Sequence, residues 1–441
     1  MRSLCVLFFF VSMACAETPP DLRTRKTGSD WPMFLGPTSN NVSAESGILT
    51  KWPREGLKVV WEAPMGLGYA PPVTSRGRLF HFDRFGDDCR LSCRNAETGK
   101  LLWKYEFPTT YEDLYGYSPG PRACPVVDDD RVYVYGPDGT LVCVNVADGQ
   151  KVWSLDTQKE FHVHKNFFGV GSVPIVEGDF LIVAVGGSPK GPRPEDLREA
   201  KGDGSGIVAF DKLTGKVVYK ITDELASYSS PVLATIDGRR WCLYFARGGL
   251  VGFEPKMGKV DFQFPWRSKP LESVNASNPL IVGNRVLITE CYGFGSALLK
   301  IAAGKKSETI WTDGEKERDD QTLRCHWNTP VHVDGYVYAS SGRHENEAEL
   351  RCVELATGKV IWKEPNLERC SLTLIDGHFL CLRERGDLML IKVNPKKFEP
   401  VAKWQTELDF PSWGAPVVSH GMMYIRGKDR LIAAELIPAK K

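Results

Sequence analysis

The 441-residue chain lacks long runs of one charge: 56 lysines and arginines nearly balance 55 aspartates and glutamates. Without a basic block, nucleic acid is not an expected partner. Beyond the N-terminus no apolar run is long enough for a membrane helix, and no amphipathic pattern of several helical turns follows residue 30. Motifs for a nucleophile elbow, a phosphate-binding loop or a Cys-x-x-Cys-His haem site are also missing, so these three chemistries lack their usual signatures.

The N-terminus has the pattern of an export signal. Arg2 precedes an apolar run over residues 4–13, and the small residues of Ala14-Cys15-Ala16 form the site that signal peptidase reads. Residues 1–16 are therefore predicted to be a signal peptide that is cleaved after Ala16. This prediction places the mature chain in the periplasm or outside the cell.

Two further expectations concern the same end of the chain. A lipid anchor at Cys15 is the alternative to free secretion, but Ser12 stands where an aliphatic residue is wanted, and this favours secretion. Residues 17–29 are polar and rich in Pro, Thr and charge. Such a composition favours a flexible leader over a packed segment.

One recurring unit predicts short antiparallel strands. It consists of a Pro-aliphatic strand, a polar turn, an alternating apolar strand, a third strand, an Asp/Thr-Gly turn and a strand that ends in an aromatic residue; residues 125–153 and 330–362 show it fully. Alternation with period two is typical of half-buried strands, and glycine provides the positive φ of a tight hairpin. Four strands in about 40 to 50 residues fit one propeller blade.

The ends and beginnings of these units are out of phase, which predicts a closed ring. Trp61 ends a strand before any unit has opened, and Pro416 opens a unit that has no closing aromatic. The strand Val59-Val60-Trp61 is therefore expected to complete the last blade. The predicted fold is all-β, an eight-bladed propeller of four-stranded antiparallel blades over residues 30–437, whose closure removes free sheet edges. An open solenoid is the alternative.

The aromatic residues that close the units are expected to be structural and to pack between neighbouring blades. They are Trp61, Trp103, Trp153, Tyr219, Trp266, Trp311, Trp362 and Trp404. The residues that open the units are Pro72, Pro125, Pro174, Pro231, Pro279, Pro330 and Pro416, with Leu372 in the remaining place.

Two sequence features resemble a known family. The Gly-Lys-x-x-x-Trp endings at 99–103 and 358–362, with the lead-in Asp-Trp-Pro-Met-Phe-Leu-Gly-Pro at 30–37, are similar to the tryptophan-docking repeats of pyrroloquinoline-quinone-like propellers, the quinoprotein alcohol dehydrogenase-like superfamily. The resemblance implies the propeller fold. It does not select a function, because the superfamily includes quinone-dependent dehydrogenases and also a non-catalytic propeller of the outer-membrane β-barrel assembly machine.

For the dehydrogenase branch, the resemblance implies a disulfide of adjacent cysteines beside the quinone, a calcium ion held by carboxylate and amide oxygens, and an Asp base. No two cysteines of this chain are adjacent, and no carboxylate can be matched to those positions. No cofactor and no catalytic residue is therefore predicted. Pyrroloquinoline quinone with calcium is kept as the alternative.

Ten cysteines follow the predicted signal peptide, and three of them occupy equivalent places. Cys93, Cys143 and Cys352 each lie six residues before a turn glycine, where Ala209 stands in another unit. A small buried residue is expected at this place, because free cysteine behaves as a small apolar side chain.

Two histidines invite a metal hypothesis. His162 and His164 lie on one side of an extended segment, an arrangement that suits half of a metal site. The interpretation favoured here is a polar loop with hydrogen-bonded histidines, and no metal is predicted.

The order of strands predicts which face of the ring binds a partner. In a four-stranded meander the inter-blade connections and the second-to-third loops share one face, and here they are longer and richer in aromatic and polar residues than the short Thr-Gly turns opposite. Binding residues commonly lie on such loops. Around a central funnel on this face we expect Tyr117, His162, His164, Asn275, His326, Trp327 and Trp413.

The sequence favours an exported, non-catalytic propeller that binds a protein or another component of the cell envelope. One alternative is a dehydrogenase that depends on pyrroloquinoline quinone and calcium. Another is a propeller that binds carbohydrate or a small ligand on the same aromatic face.

Overall fold

The computed structural model describes residues 18–189 and 194–439, so the predicted signal peptide and Cys15 lie outside the described residues. The strands form eight sheets, each with four strands in antiparallel meander order, and the short strand Val42–Ser43 adds a fifth, parallel strand to one of them. Seven of the predicted opening prolines stand directly before the first strand of a sheet, a position where the missing N–H removes no ladder hydrogen bond. The eight-bladed propeller predicted from the repeats is confirmed.

The blades are numbered in chain order and their strands are given from the innermost outward. Blade 1 contains Val73–Ser75, Arg78–Phe85, Asp88–Asn95 and Leu101–Pro108; blade 2 contains Val126–Asp128, Arg131–Tyr135, Thr140–Asn145 and Lys151–Asp156; blade 3 contains Ile175–Glu177, Phe180–Ala184, Ile207–Asp211 and Val217–Ile221; blade 4 contains Val232–Ile236, Arg239–Phe245, Gly249–Glu254 and Lys259–Pro265.

Blades 5 to 8 follow the same plan. Blade 5 contains Leu280–Val282, Arg285–Thr289, Ser296–Lys300 and Glu308–Thr312; blade 6 contains Val331–Val333, Tyr336–Ser341, Glu349–Glu354 and Lys359–Pro365; blade 7 contains Cys370–Ile375, His378–Arg383, Asp387–Lys392 and Pro400–Gln405; blade 8 contains Val417–Ser419, Met422–Arg426, Arg430–Glu435 and Val59–Pro64.

Helices are short and few in the part of the chain that the structure describes. They are the α-helix Thr157–Phe161 and the 3₁₀ helices Pro194–Arg198, Arg318–Asp320 and Glu345–Glu347. None of the described helices is long and apolar enough to cross a membrane.

The ring is closed by the N-terminal strand Val59–Pro64, as predicted. This strand pairs antiparallel with Arg430–Glu435, with Val59 opposite Ala434 and Trp61 opposite Ala433. The last blade therefore contains residues from both ends of the chain, and the long-range pairing removes the free edge that blade 8 would otherwise have.

Residues 18–29, which belong to the leader predicted over residues 17–29, form hydrogen bonds with the ring. The backbone N–H of Leu22 donates to the carbonyl of Arg76 at 3.1 Å, and the guanidinium of Arg78 donates to the carbonyl of Pro20 at 2.7 Å. Arg25 donates to the carbonyl of Ile437 at 2.9 Å. These contacts hold the segment across blades 1 and 8, because backbone groups there find partners despite the polar composition.

The next segment crosses the inner side of the ring. Trp31 forms a bridge with Thr74 of blade 1, and the N–H of Val127 in blade 2 donates to the carbonyl of Pro32 at 2.8 Å. Val42–Ser43 then pairs in parallel with the inner strand of blade 7. Residues 31–43 therefore contact the inner strands of blades 1, 2 and 7.

Six of the predicted closing aromatics dock on the next blade through one shared contact. Trp61, Trp103, Trp153, Trp311 and Trp362 each donate their indole N–H to a backbone carbonyl of the following blade at 2.9–3.1 Å. Tyr219 does the same with its hydroxyl, at 2.6 Å. This geometry explains why tryptophan recurs, since one side chain fills the junction and also satisfies a turn carbonyl.

Two of the predicted docking aromatics occupy other places. In blade 4 the residue at the docking register is Phe262, opposite Gly252, and Trp266 lies beyond the end of the strand. In blade 7 the docking register holds Ala402, and Trp404 lies two residues later, opposite Leu388. Both tryptophans are buried, so they belong to the core but not to the docking repeat.

The recurring cysteines are the small partners of the docking aromatics. Cys93 lies opposite Trp103, Cys143 opposite Trp153 and Cys352 opposite Trp362. In blade 7 the sizes are reversed, with Leu390 opposite Ala402. All ten described cysteines are buried and unpaired, which confirms that these three fill small core positions.

The turn glycines test the docking contact directly. Gly149 has φ +72° and an added Cβ would lie 2.5 Å from the ring of Trp103, whereas Gly238 has φ +75° and nothing within 4 Å. Gly238→Ala is expected to cost about 1–2 kcal/mol from the left-handed backbone alone. Gly149→Ala should cost about 1–3 kcal/mol more, since the ring must shift. Denaturant unfolding checks this, and equal losses would show that the ring contact is unimportant.

Candidate functional site

A cavity of about 240 Å³ opens at the centre of the face that carries the inter-blade connections. Its walls come from these connections and from the second-to-third loops of blades 5 and 6, while Phe34, Leu35 and Asn41 of the crossing segment form its floor. We call this cavity the funnel. Its aromatic and charged wall residues are Tyr69, Tyr117, Arg122, Phe168, Tyr228, Tyr292, His326, Trp327, Arg343, His344, Arg369 and Trp413.

Four of the seven residues expected around the funnel line it: Tyr117, His326, Trp327 and Trp413. They form part of a continuous run of rings. The ring of Trp413 lies 4.5 Å from that of Tyr69, 4.7 Å from that of Trp327 and 6.1 Å from that of Tyr117. The imidazole of His326 lies 5.0 Å from the Trp327 ring. Residues from four separate connections thus meet at one wall.

The other three predicted residues lie elsewhere. His162 is exposed and caps the short helix with a left-handed φ of 54°. His164 is buried beside a separate cavity of about 10 Å³, and burial lowers its pKa to about 4. One histidine is exposed and the other is buried, so the pair does not form half of a metal site. Asn275 is buried and donates to the carbonyl of Ala246 at 2.7 Å, which fixes the chain between blades 4 and 5.

Three arginines that sequence reasoning missed stack on the aromatic wall. The guanidinium carbon of Arg369 lies 4.5 Å from the ring centre of Trp327. Arg122 lies 5.3 Å from the ring centres of both Tyr69 and Phe168, and Arg343 lies 4.5 Å from that of Tyr292. Stacking of this kind holds a guanidinium flat while leaving its N–H edge available.

Two of these arginines are held by buried carboxylates behind the wall. Glu384, whose side chain is fully buried, accepts from Arg369 at 2.7 Å and from the indole N–H of Trp413 at 3.1 Å. Asp113, nearly as buried, accepts from Arg122 at 3.0 Å. Each carboxylate therefore fixes the orientation of a wall residue and neutralises its charge.

The imidazole of His326 is neutral at physiological pH. Burial, with the nearby charges of Arg369 and Arg343, lowers its pKa to about 3. Because a guanidinium can only donate, Nδ1 of His326 accepts from Arg369 at 3.4 Å. The proton of the neutral imidazole is then on Nε2, which lies 3.3 Å from the hydroxyl of Tyr292. His326 thus contributes a flat polar surface without charge.

A family model described as outer membrane protein assembly factor BamB matches residues 53–191 and 120–364. The quinohemoprotein alcohol dehydrogenase ADH-IIG of Pseudomonas putida is 26% identical over 157 residues, which are 34% of this chain and 19% of that enzyme. This chain thus matches about a fifth of the length of that relative.

Solved structures show the same fold. BamB from Moraxella catarrhalis superposes with a TM-score of 0.54 at 12% identity, over 87% of this chain and 99% of that one. Quinohemoprotein alcohol dehydrogenase from Comamonas testosteroni superposes with a TM-score of 0.64 at 12% identity, over 93% of this chain and 81% of that one. At such identities the likeness concerns the fold and not the chemistry of the site.

The wall of the funnel does not fit a quinone held with calcium. Its described lining residues include no aspartate, glutamate or cysteine, and the carboxylates behind it, Asp113 and Glu384, are engaged by arginines. Calcium needs six to eight oxygen ligands, several of them carboxylate. No group of three metal-binding side chains was found among the described residues.

Proposed function

The chain belongs to the family described as outer membrane protein assembly factor BamB, and from this premise we propose that it is an exported, non-catalytic propeller whose funnel face binds a protein of the cell envelope. In this proposal residues 1–16 are removed on export, and Cys15 leaves with them. The mass of the mature chain checks this, because acylation at Cys15 would retain Cys15 and Ala16 and add the mass of the lipid.

One observation carries the choice of face. Large apolar side chains are exposed around the mouth of the funnel: Leu114 is 67% exposed, Tyr115 52%, Tyr117 54% and Phe410 48%. Tyr115 and Tyr117 pack edge-on against Phe168, 5.7 and 5.5 Å away, which keeps their rings in place. Clustered apolar groups of this kind on a soluble protein are typical of an interaction surface.

The proposed partner contacts the loop that contains Leu114 and Tyr115. The carboxylate of Asp113 shapes this loop by accepting from the N–H of Tyr115 at 2.9 Å and from that of Ser118 at 3.2 Å. A rigid loop loses little conformational entropy on binding, so its apolar side chains contribute more fully to affinity.

A photo-crosslinking amino acid placed at Leu114 tests the proposal in whole cells. The matched control is Leu213, which is 54% exposed on the turn of blade 3 that belongs to the opposite face. We expect one defined crosslinked protein from position 114 and none from 213. Leu114→Asp together with Tyr115→Asp should release that partner, while Leu213→Asp should not.

Two results would overturn the proposal. A crosslink from position 213 in place of position 114 would assign the partner to the Thr-Gly turns. Turnover of an alcohol by the purified chain after addition of pyrroloquinoline quinone and calcium would show that the protein is an enzyme.

A further inference from the structure

We propose that the funnel is a specific pocket for an aromatic carboxylate with a single negative charge, about the size of one amino acid. The inference deepens the proposed function and rests on it for the face that a ligand approaches. Arg343 is proposed to hold the carboxylate, with the aromatic ring among Tyr69, Trp327 and Trp413.

The charge of the ligand follows from the ion pairs of the wall. Three arginines line the funnel, and no carboxylate does among its described residues. Arg122 and Arg369 are neutralised by Asp113 and Glu384, whereas the guanidinium of Arg343 has no hydrogen-bond or ion-pair partner in the described part of the chain. One positive charge is therefore left over, and it matches a carboxylate better than a dianionic phosphate.

Both carboxylates that follow Arg343 in its loop have other partners, and Glu345 forms an ion pair with Arg385 at 2.7 Å. Glu347 forms an ion pair with Arg318 at 2.9 Å and accepts from the backbone N–H groups of Arg343 and His344 at 2.6 and 3.1 Å. It fixes the backbone of the loop without engaging the Arg343 side chain, which stays stacked on Tyr292. A planar guanidinium held in this way is suited to a two-pronged contact with a carboxylate.

Two buried polar atoms of the lining have no partner within the described residues. They are Oδ1 of Asn41 on the floor and Nε1 of Trp327 on the wall. Asn41 is only 2% exposed, and a buried polar group without a hydrogen bond is costly, so such groups are normally satisfied. Oδ1 of Asn41 can accept a hydrogen bond from a ligand, and Nε1–H of Trp327 can donate one to it. A ligand with polar groups at both ends would satisfy both atoms.

Size and surroundings define the rest of the ligand. About 240 Å³ is less than the ~300–1,000 Å³ typical of pockets for drug-sized ligands, so a single ring with a short side chain fits. Trp413 and Trp327 supply flat faces for the ring. The neutral imidazole of His326 adds no second charge to that of Arg343.

N-acetyl-L-tyrosine is the probe, and its amide is the matched neutral control. Binding to the purified full-length mature chain is followed by calorimetry and by tryptophan fluorescence. We expect the acid to bind at least tenfold more tightly than the amide, because only the acid has a negative charge for Arg343. Equal affinities of acid and amide would overturn the inference.

Two variants separate a direct contact from a general effect of charge. Arg343→Gln is expected to weaken the binding of the acid about tenfold or more and to leave that of the amide unchanged. Arg385→Gln removes an equal charge from the same face, at a residue outside the lining that pairs with Glu345, and should change the affinity by less than twofold. Unchanged affinity in Arg343→Gln would refute the assigned role.

The carboxylate has two conceivable sources, and a second pair of probes distinguishes them. A pentapeptide that ends in tyrosine is compared with the same peptide amidated at its C-terminus. Tight binding of the free peptide alone would identify the end of a protein chain as the source. Tight binding of N-acetyl-L-tyrosine without binding of the peptide would identify a free small acid, and both results support the carboxylate chemistry.

The outcome is independent of the partner experiment. These probes need no second protein, so binding of the acid without any crosslink from position 114 would support the pocket and refute the partner. A crosslink from position 114 with no binding of the acid would refute the pocket and support the partner.

Discussion

Trp153→Ala is expected to lower the free energy of unfolding by about 3 kcal/mol, the lower end of the range for a large aromatic side chain, because Trp153 is only partly buried. The indole of Trp153 covers Gly215 of blade 3 so closely that an added Cβ there would lie 2.8 Å from the ring. It also donates to the carbonyl of Lys212 at 3.1 Å. The substitution therefore opens a cavity and removes one of the two donors to this turn carbonyl, the other being the hydroxyl of Tyr133 at 3.1 Å. Equilibrium unfolding in denaturant measures the loss.

Trp153→Tyr is the matched control, because the next docking residue, Tyr219, fills this role naturally. Tyr219 donates its hydroxyl to the carbonyl of Pro255 at 2.6 Å. A tyrosine at 153 keeps a ring and a donor, so a loss of about 1 kcal/mol is expected. If the alanine and tyrosine variants were equally stable, docking would not be what holds blades 2 and 3 together.

Glu384→Ala is expected to cost about 3–5 kcal/mol and to disorganise the wall of the funnel. The carboxylate is fully buried and binds both Arg369 and Trp413. Without it, a largely buried guanidinium has no counter-charge, which is the costly way to break a buried ion pair. Equilibrium unfolding in denaturant measures the loss of stability.

A double variant separates the value of the pair from the cost of an unpaired charge. Glu384→Gln with Arg369→Gln removes both charges and keeps similar shapes. It should be more stable than the sum of the two single losses predicts, with a coupling free energy of about 1–3 kcal/mol. Strict additivity would show that the two side chains do not depend on each other.

The fold could be predicted from the sequence because each repeat residue has a local task. The proline opens a strand, the glycine adopts positive φ in the turn, and the aromatic four residues later docks on the next blade. In two blades the most conspicuous aromatic does not lie at this spacing from the turn glycine. Four residues after Gly258 comes Phe262, the true docking residue, but Trp266 is the more conspicuous aromatic. In blade 7 the docking register holds Ala402, so the pattern of aromatic residues gives no signal for it.

The funnel was only partly predictable, since its walls join connections that are far apart in the chain. Aromatics on the correct loops could be named from topology, and Tyr117, Trp327 and Trp413 do meet there. The arginines were missed because arginine on a loop is usually solvated, and stacking on a ring from another blade leaves no local pattern. Asn275 was misplaced because a polar loop residue can be buried when it satisfies a backbone carbonyl.

The crossing segment makes the pocket a late product of folding. Phe34, Leu35 and Asn41, which form its floor, precede the strand Val59–Pro64, whose partner Arg430–Glu435 lies some 370 residues further along the chain. Contacts between such distant residues form slowly, because the loop must close before they give any stabilisation. During synthesis the N-terminal segment can complete the ring only after the strand Arg430–Glu435 has been made. A ligand that needs the finished floor would therefore distinguish completed rings from chains that are still open.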